Sequence, residues 1–149
     1  MKKSLLLFAL LWLLGTGGQA QTELTWRQLT DVEFELQYLK EYDARFMVPT
    51  FGKDIQAYDG KEVSITGYII PLDAANTMFV LSKNPYASCF FCGGAGQETI
   101  VELWLKPEAI RRYKLDQRLT FKGVFQLNDT DIDHFNYILK DAEPEKAAK

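Results

Sequence analysis

Five strand-like stretches, a helical stretch between the third and fourth, and a glycine inside each of two strands predict a mainly β fold. The order matches a small OB-fold-like five-stranded Greek-key barrel with one short helix between strands three and four, plus an N-terminal extension. The first strand is residues 61–72, where Val63, Ile65, Gly67 and Ile69 alternate with Glu62, Ser64, Thr66 and Tyr68 before Pro71. Alternation of that period turns one face to a core, and a proline ends the strand or sets it at an edge. Residues 77–82 and 98–105 supply the second and third strands. Pro107 then opens a helix over residues 107–113, with Glu108 early and Arg111 and Arg112 late, as the helix dipole favours. Residues 118–127 and 135–140 are the last two strands, joined by a polar turn at 128–131. Gly67 and Gly123 fall where strands of so small a barrel must coil sharply.

Ahead of the barrel, Val32, Phe34, Leu36 and Tyr38 alternate with acidic or amide residues, which predicts a one-sided strand; a helical start at Thr25 is equally readable. Pro49, Gly52 and the pair Asp59-Gly60 mark turns. The expected organisation is a leader at 1–20, an extension at 21–58 that packs on the barrel, the barrel at 59–140 and a flexible tail at 141–149.

The leader carries Lys2 and Lys3, an apolar run at residues 5–14 and a small-residue stretch ending at Ala20, the three parts of a cleavable secretory signal. That run is too short to span a bilayer, which takes about 20 apolar residues. The expected product is a soluble protein, periplasmic or secreted, that does not insert in a membrane after cleavage. The roughly 130 residues that remain suit one domain.

Asp and Glu number 20 against 17 Lys and Arg, and two of the lysines belong to the leader. Basic residues cluster only around Arg111, Arg112 and Lys114, too few for a phosphate-backbone footprint, so nucleic acid is not expected as a ligand. Three Trp, seven Tyr and ten Phe can fill a core without many disulfides.

Chemistry concentrates at Cys89-Phe90-Phe91-Cys92-Gly93-Gly94-Ala95-Gly96. Cysteines at this spacing have three uses: holding a transition metal such as zinc, cycling between dithiol and disulfide, or forming a static disulfide that pins a loop in an oxidising compartment. A structural zinc site takes four ligands, so Cys89 and Cys92 would need partners, and the sole histidine, His134, with neighbouring Asp133, is the candidate source. Redox cycling lacks a βαβ setting and an adjacent cation to lower a thiol pKa. Covalent haem needs His after the second cysteine, where Gly93 stands. A single His allows no Ser-His-Asp arrangement, so an enzyme is not expected.

Through Gly67-Tyr68-Ile69-Ile70-Pro71-Leu72, Phe79-Val80-Leu81-Ser82 and residues 89–96, the chain resembles an uncharacterised family of exported bacterial proteins, a domain of unknown function. The resemblance runs from Trp26 to the last strand and implies an OB-like domain. Some relatives look to be encoded beside ABC-transporter genes of zinc-responsive operons. That implies an accessory role in metal handling, with a membrane transporter or another periplasmic protein as partner. Many relatives carry Cys-x-His followed by prolines where this chain has Cys89, Cys92 and glycines. A metal site tolerates that exchange of ligands, whereas a static disulfide does not.

Overall fold

In the computed structural model, residues 22–145 are described. The predicted leader, 1–20, and the end of the tail, 146–149, lie outside them. In chain order the elements are β1 (Thr22–Glu23), β2 (Val32–Leu39), β3 (Ala44–Phe51), a short helix α1 (Lys53–Gln56), β4 (Glu62–Pro71), β5 (Phe79–Ser82), β6 (Ile100–Leu105), β7 (Gln117–Leu127) and β8 (Tyr137–Pro144). The last five strands pair in the order β4-β5-β6-β8-β7, and β7 returns to pair with β4. The barrel is therefore closed, and the β6–β8 pairing is parallel while the other four are antiparallel. This is an OB-fold-like barrel, as the sequence predicts.

The strand alternation places the core. Val63, Ile65 and Ile69 of β4 face inward with Phe79, Leu81, Val101, Leu103, Phe121, Phe125, Tyr137 and Leu139. All four β5 residues are buried, because the strand is covered on both faces. Its outward Val80, with Ile70 of β4, packs instead beneath the 83–96 loop around Cys89.

Both predicted glycines sit at close approaches. A Cβ on Gly123 would lie 2.5 Å from the Lys140 carbonyl oxygen and 3.2 Å from the Ala142 Cα, where the β7–β8 register shifts. At Gly67 a Cβ would lie 2.8 Å from the Trp26 ring, whose Nε1 donates to the Thr66 carbonyl at 2.7 Å.

Residues before the barrel add to its core. Leu24, Leu29 and Ile55 are buried there, the Leu24 amide donates to the Ser64 carbonyl at 2.8 Å, and the Tyr137 hydroxyl donates to the Leu29 carbonyl at 2.7 Å. The Asp31 carboxylate accepts the Asp54 and Ile55 amides, capping α1 from a distant residue. A Cβ on Gly52 would collide with that carboxylate. The alternating stretch from Val32 is β2, while the helical start at Thr25 becomes a 3-10 turn, Gln28–Thr30, with Thr25 donating to the Gln28 side chain.

Three expectations change. Pro49 does not mark a turn: it lies within β3 opposite Phe34 and is buried there. Its missing N–H is tolerated because, among the described residues, β3 has a partner strand on one edge only. Helical structure between β6 and β7 is confined to a 3-10 turn, Pro107–Ala109. Tyr113 is drawn into the core between Phe79 and Phe121 and donates to the Ala109 carbonyl at 2.8 Å, an anchorage that outweighs the few bonds of so short a helix. The tail does not fray at Asp141, since β8 runs to Pro144 and Glu143 pairs with Lys106 and Lys122 at 2.7 and 3.4 Å.

Gly123→Ala is expected to destabilise the fold by about 1 to 3 kcal/mol, because backbone atoms on two sides cannot yield to the new methyl. Urea unfolding followed by tryptophan fluorescence measures this, and an unchanged midpoint would show that the bulge has slack.

Candidate functional site

Two loops carry the polar and thiol chemistry, one at residues 83–96 between β5 and β6 and one at 128–136 between β7 and β8. In the first, 3-10 turns at Tyr86–Ser88 and Phe90–Cys92 wind the chain tightly. The Cys92 and Gly94 amides both donate to the Cys89 carbonyl at 3.2 Å. Gly93 has a φ of 73°, which glycine adopts without strain, and a Cβ on Gly94 would lie 2.8 Å from the Ser88 carbonyl oxygen. The glycine run after the cysteines is therefore the means of closing a turn.

That turn sets the two cysteines side by side, and both are free thiols. Cys89 is fully buried against Ile70 and Val80, with Leu72 and Phe135 packed on the same cluster. Cys92 is exposed, and its Sγ donates to the Tyr86 carbonyl at 3.1 Å. Desolvation by the loop, then the charge and hydrogen bond of Cys89, push the Cys92 thiol above its ordinary range. Every influence on it favours the neutral thiol, opposite to what an attacking thiolate requires.

The second loop is organised by two buried polar residues. Asn128 accepts the Asp131 amide at 2.9 Å, and its Nδ2 donates to the Asp131 carbonyl at 2.7 Å, with the His134 and Phe135 carbonyls at 3.2 Å. Glu102 of β6 anchors the far side. Its Oε1 accepts the Trp104 Nε1 at 2.8 Å and lies 2.9 Å from His134 Nδ1, while its Oε2 accepts the Phe135 amide at 3.0 Å. His134 is held with Nδ1 on the carboxylate and its ring edge-on to Trp104, centroids 5.0 Å apart.

Aromatic rings join the loops. Phe91 meets Phe135 edge-on at 6.0 Å and Phe90 at 5.6 Å. The predicted donors Cys89, Cys92, His134 and Asp133 nonetheless stay apart in two groups. Asp133 is exposed beside Asp131, and among the described residues no three His, Cys, Asp or Glu side chains gather as a metal ion requires. The donors present amount to a pair of thiols, short of the four ligands of a structural zinc site.

Between the 128–136 loop and the hairpin of β2 and β3 lies a groove of about 260 Å³, with Phe90 and Gln97 at one end. Phe46, Met47, Val48 and Pro49 form one wall and Ile132, His134 and Phe135 the other. Asp129, Asp131 and Asp133 line it, and no Lys or Arg does. At the hairpin tip the Tyr42 phenol is raised by Glu41, then desolvation, then Asp133 and Asp131.

Sequence reasoning found His134 and the cysteines but missed Glu102 and the groove. A carboxylate inside the apolar run Ile100-Val101-Glu102-Leu103-Trp104-Leu105 was the available signal for the first. The groove depends on where an isolated hairpin leans, which no pattern encodes. No family model matches the chain, and no curated protein is significantly similar to it. The fold and the two loops thus define an OB-like module with an apolar, acid-rimmed groove.

In reduced protein, Cys92 is expected to react slowly with a disulfide reagent at neutral pH and faster as pH rises beyond the ordinary thiol range of about 8.5. Cys89 should stay unreactive until urea unfolds the domain. Rapid reaction of either thiol at pH 7 would contradict the burial and charge described above.

Proposed function

We propose that this protein is an exported binding module that engages a partner outside the cytoplasm through the groove between β3 and the 128–136 loop. The observation that carries this is the groove itself: apolar walls from three separate chain segments, with polar groups of the far wall already fixed by Glu102 and Asn128. Preformed clefts of that make-up are where ligands bind.

The cysteine pair serves in this reading as a pin. Outside the cytoplasm, before folding buries Cys89, the two cysteines exchange with an oxidant of the disulfide class: one S–S bond forms between them, the oxidant's bond breaks, and its two sulfurs leave as thiols with the two protons. Neighbouring thiols on a wound turn support this over zinc binding, for which the further ligands are not assembled.

Intact-mass measurement of protein recovered from the periplasm is expected to give a chain starting at Gln21 and two hydrogens lighter than its reduced form. A chelator-sensitive excess of one metal ion would instead make the thiols ligands and overturn the pin. For the groove, the neutral apolar dye Nile red is expected to brighten on the native protein, with Val48→Glu abolishing the effect while cooperative unfolding persists. Nile red that stays dark on the native protein, or brightens equally on the variant, would remove the groove as the binding surface.

A further inference from the structure

Resting on that reading, we infer that the groove takes an extended, basic segment of a partner polypeptide, added as a third strand along the open edge of β3. Among the described residues β2 and β3 form a sheet of two strands only, so the edge of β3 away from β2 has no described strand beside it. The groove borders β3 and also takes in Leu39 at the end of β2. Successive residues of a strand point to opposite faces, yet Phe46, Met47, Val48 and Pro49 all line the same cavity. A cavity over one face would touch every second residue; one that touches four in a row runs beside the backbone.

An unpaired strand edge is a template for an incoming strand, with main-chain hydrogen bonds giving affinity and side-chain pockets giving selection. Charged side chains and prolines protect such edges, and β3 carries one of each, the exposed Arg45 and Pro49, the proline blocking one end of the strand and leaving 44–48 with its amides.

Charge selects among segments. Across the groove from β3, Asp129, Asp131 and Asp133 are all exposed, and no Lys or Arg of the lining offsets them. After Glu41 and desolvation, Asp133 and Asp131 also raise the Tyr42 phenol at the hairpin tip. A strand seated between would carry apolar residues toward Phe46 and Val48 and lysine or arginine toward the loop. An acidic segment would be repelled along its length.

The test uses the full mature protein and three acetylated hexapeptide probes: alternating lysine and valine, alternating glutamate and valine, and the lysine peptide with alternate backbone nitrogens methylated. Calorimetry and amide chemical shifts are read together. Only the unmethylated lysine peptide is expected to bind, with shifts concentrated at residues 44–48 and 129–134. The pair Asp131→Asn and Asp133→Asn should weaken it about fivefold to tenfold, and raised salt should act in the same direction. Equal binding of the glutamate peptide, tolerance of methylation, or shifts located elsewhere would overturn the proposal. If Nile red enters the groove and Val48→Glu excludes it while no lysine peptide binds, the groove stands as a binding surface and the basic-strand occupant is wrong.

Discussion

β7 is hydrogen-bonded along both edges, to β4 from Gln117 to Val124 and to β8 from Phe121 to Leu127, and barrel closure rests on this double pairing. A strand serving two neighbours that diverge must bend where it passes from one to the other. The register shift between Lys122 and Val124 is that bend, and Gly123 lets the backbone of β8 come closer than any side chain would allow. Phe121 and Phe125, on either side, then point into the space enclosed, where Phe125 stacks on Tyr137. Tyr137 in turn ties the residues before the barrel to it, through its hydroxyl on the Leu29 carbonyl and its ring against Phe51. Burial pushes this phenol far above its ordinary range, so it stays a neutral donor at any physiological pH.

The site inherits its order from that frame through Glu102. A carboxylate with about a tenth of its side chain exposed has to satisfy its oxygens, and here Trp104, His134 and the Phe135 amide do so. Charged acceptors make hydrogen bonds roughly twice as strong as neutral ones, so the 134–135 segment is fixed more firmly than its place in an exposed loop implies. The groove thus has one wall built on the barrel and one on a hairpin whose distal apolar residues, Leu36, Tyr38 and Met47, remain exposed. That asymmetry suits a surface that completes itself when a partner arrives.

The barrel was legible because its cues are local and periodic. Alternation from Val63 to Ile69 fixed the inward face of β4, and Gly67 and Gly123 marked the close approaches before any partner strand was known. Where a distant contact decided the outcome, legibility ended. Pro49 reads as a turn until the absence of a second neighbour for β3 makes it an acceptable strand residue. The stretch after Pro107 reads as a helix until Tyr113 is seen to be committed to the core. The extent of β8 past Asp141 depends on Lys106 and Lys122, which lie on other parts of the chain. At the site, spacing singled out the cysteine pair, whereas the meeting of its loop with His134 runs through Phe91 and Phe135, residues that sequence alone assigns to ordinary burial.

Phe135 connects the cysteine loop to the groove. One side of its ring packs on the cluster around Cys89, and the groove lies against it on the other. A disulfide between residues three apart closes a very short loop, so the chain-entropy account gives it only about 2 kcal/mol, less than bonds that close long loops. A core this well filled does not need that contribution for global stability. Its effect would be local: it would hold Phe91 edge-on between Phe90 and Phe135, in contacts worth about 0.5 to 1.5 kcal/mol each, and Phe90 and Phe135 both line the groove. The disulfide proposed for this pair would therefore act less as a staple for the fold than as a brace for one wall of the groove.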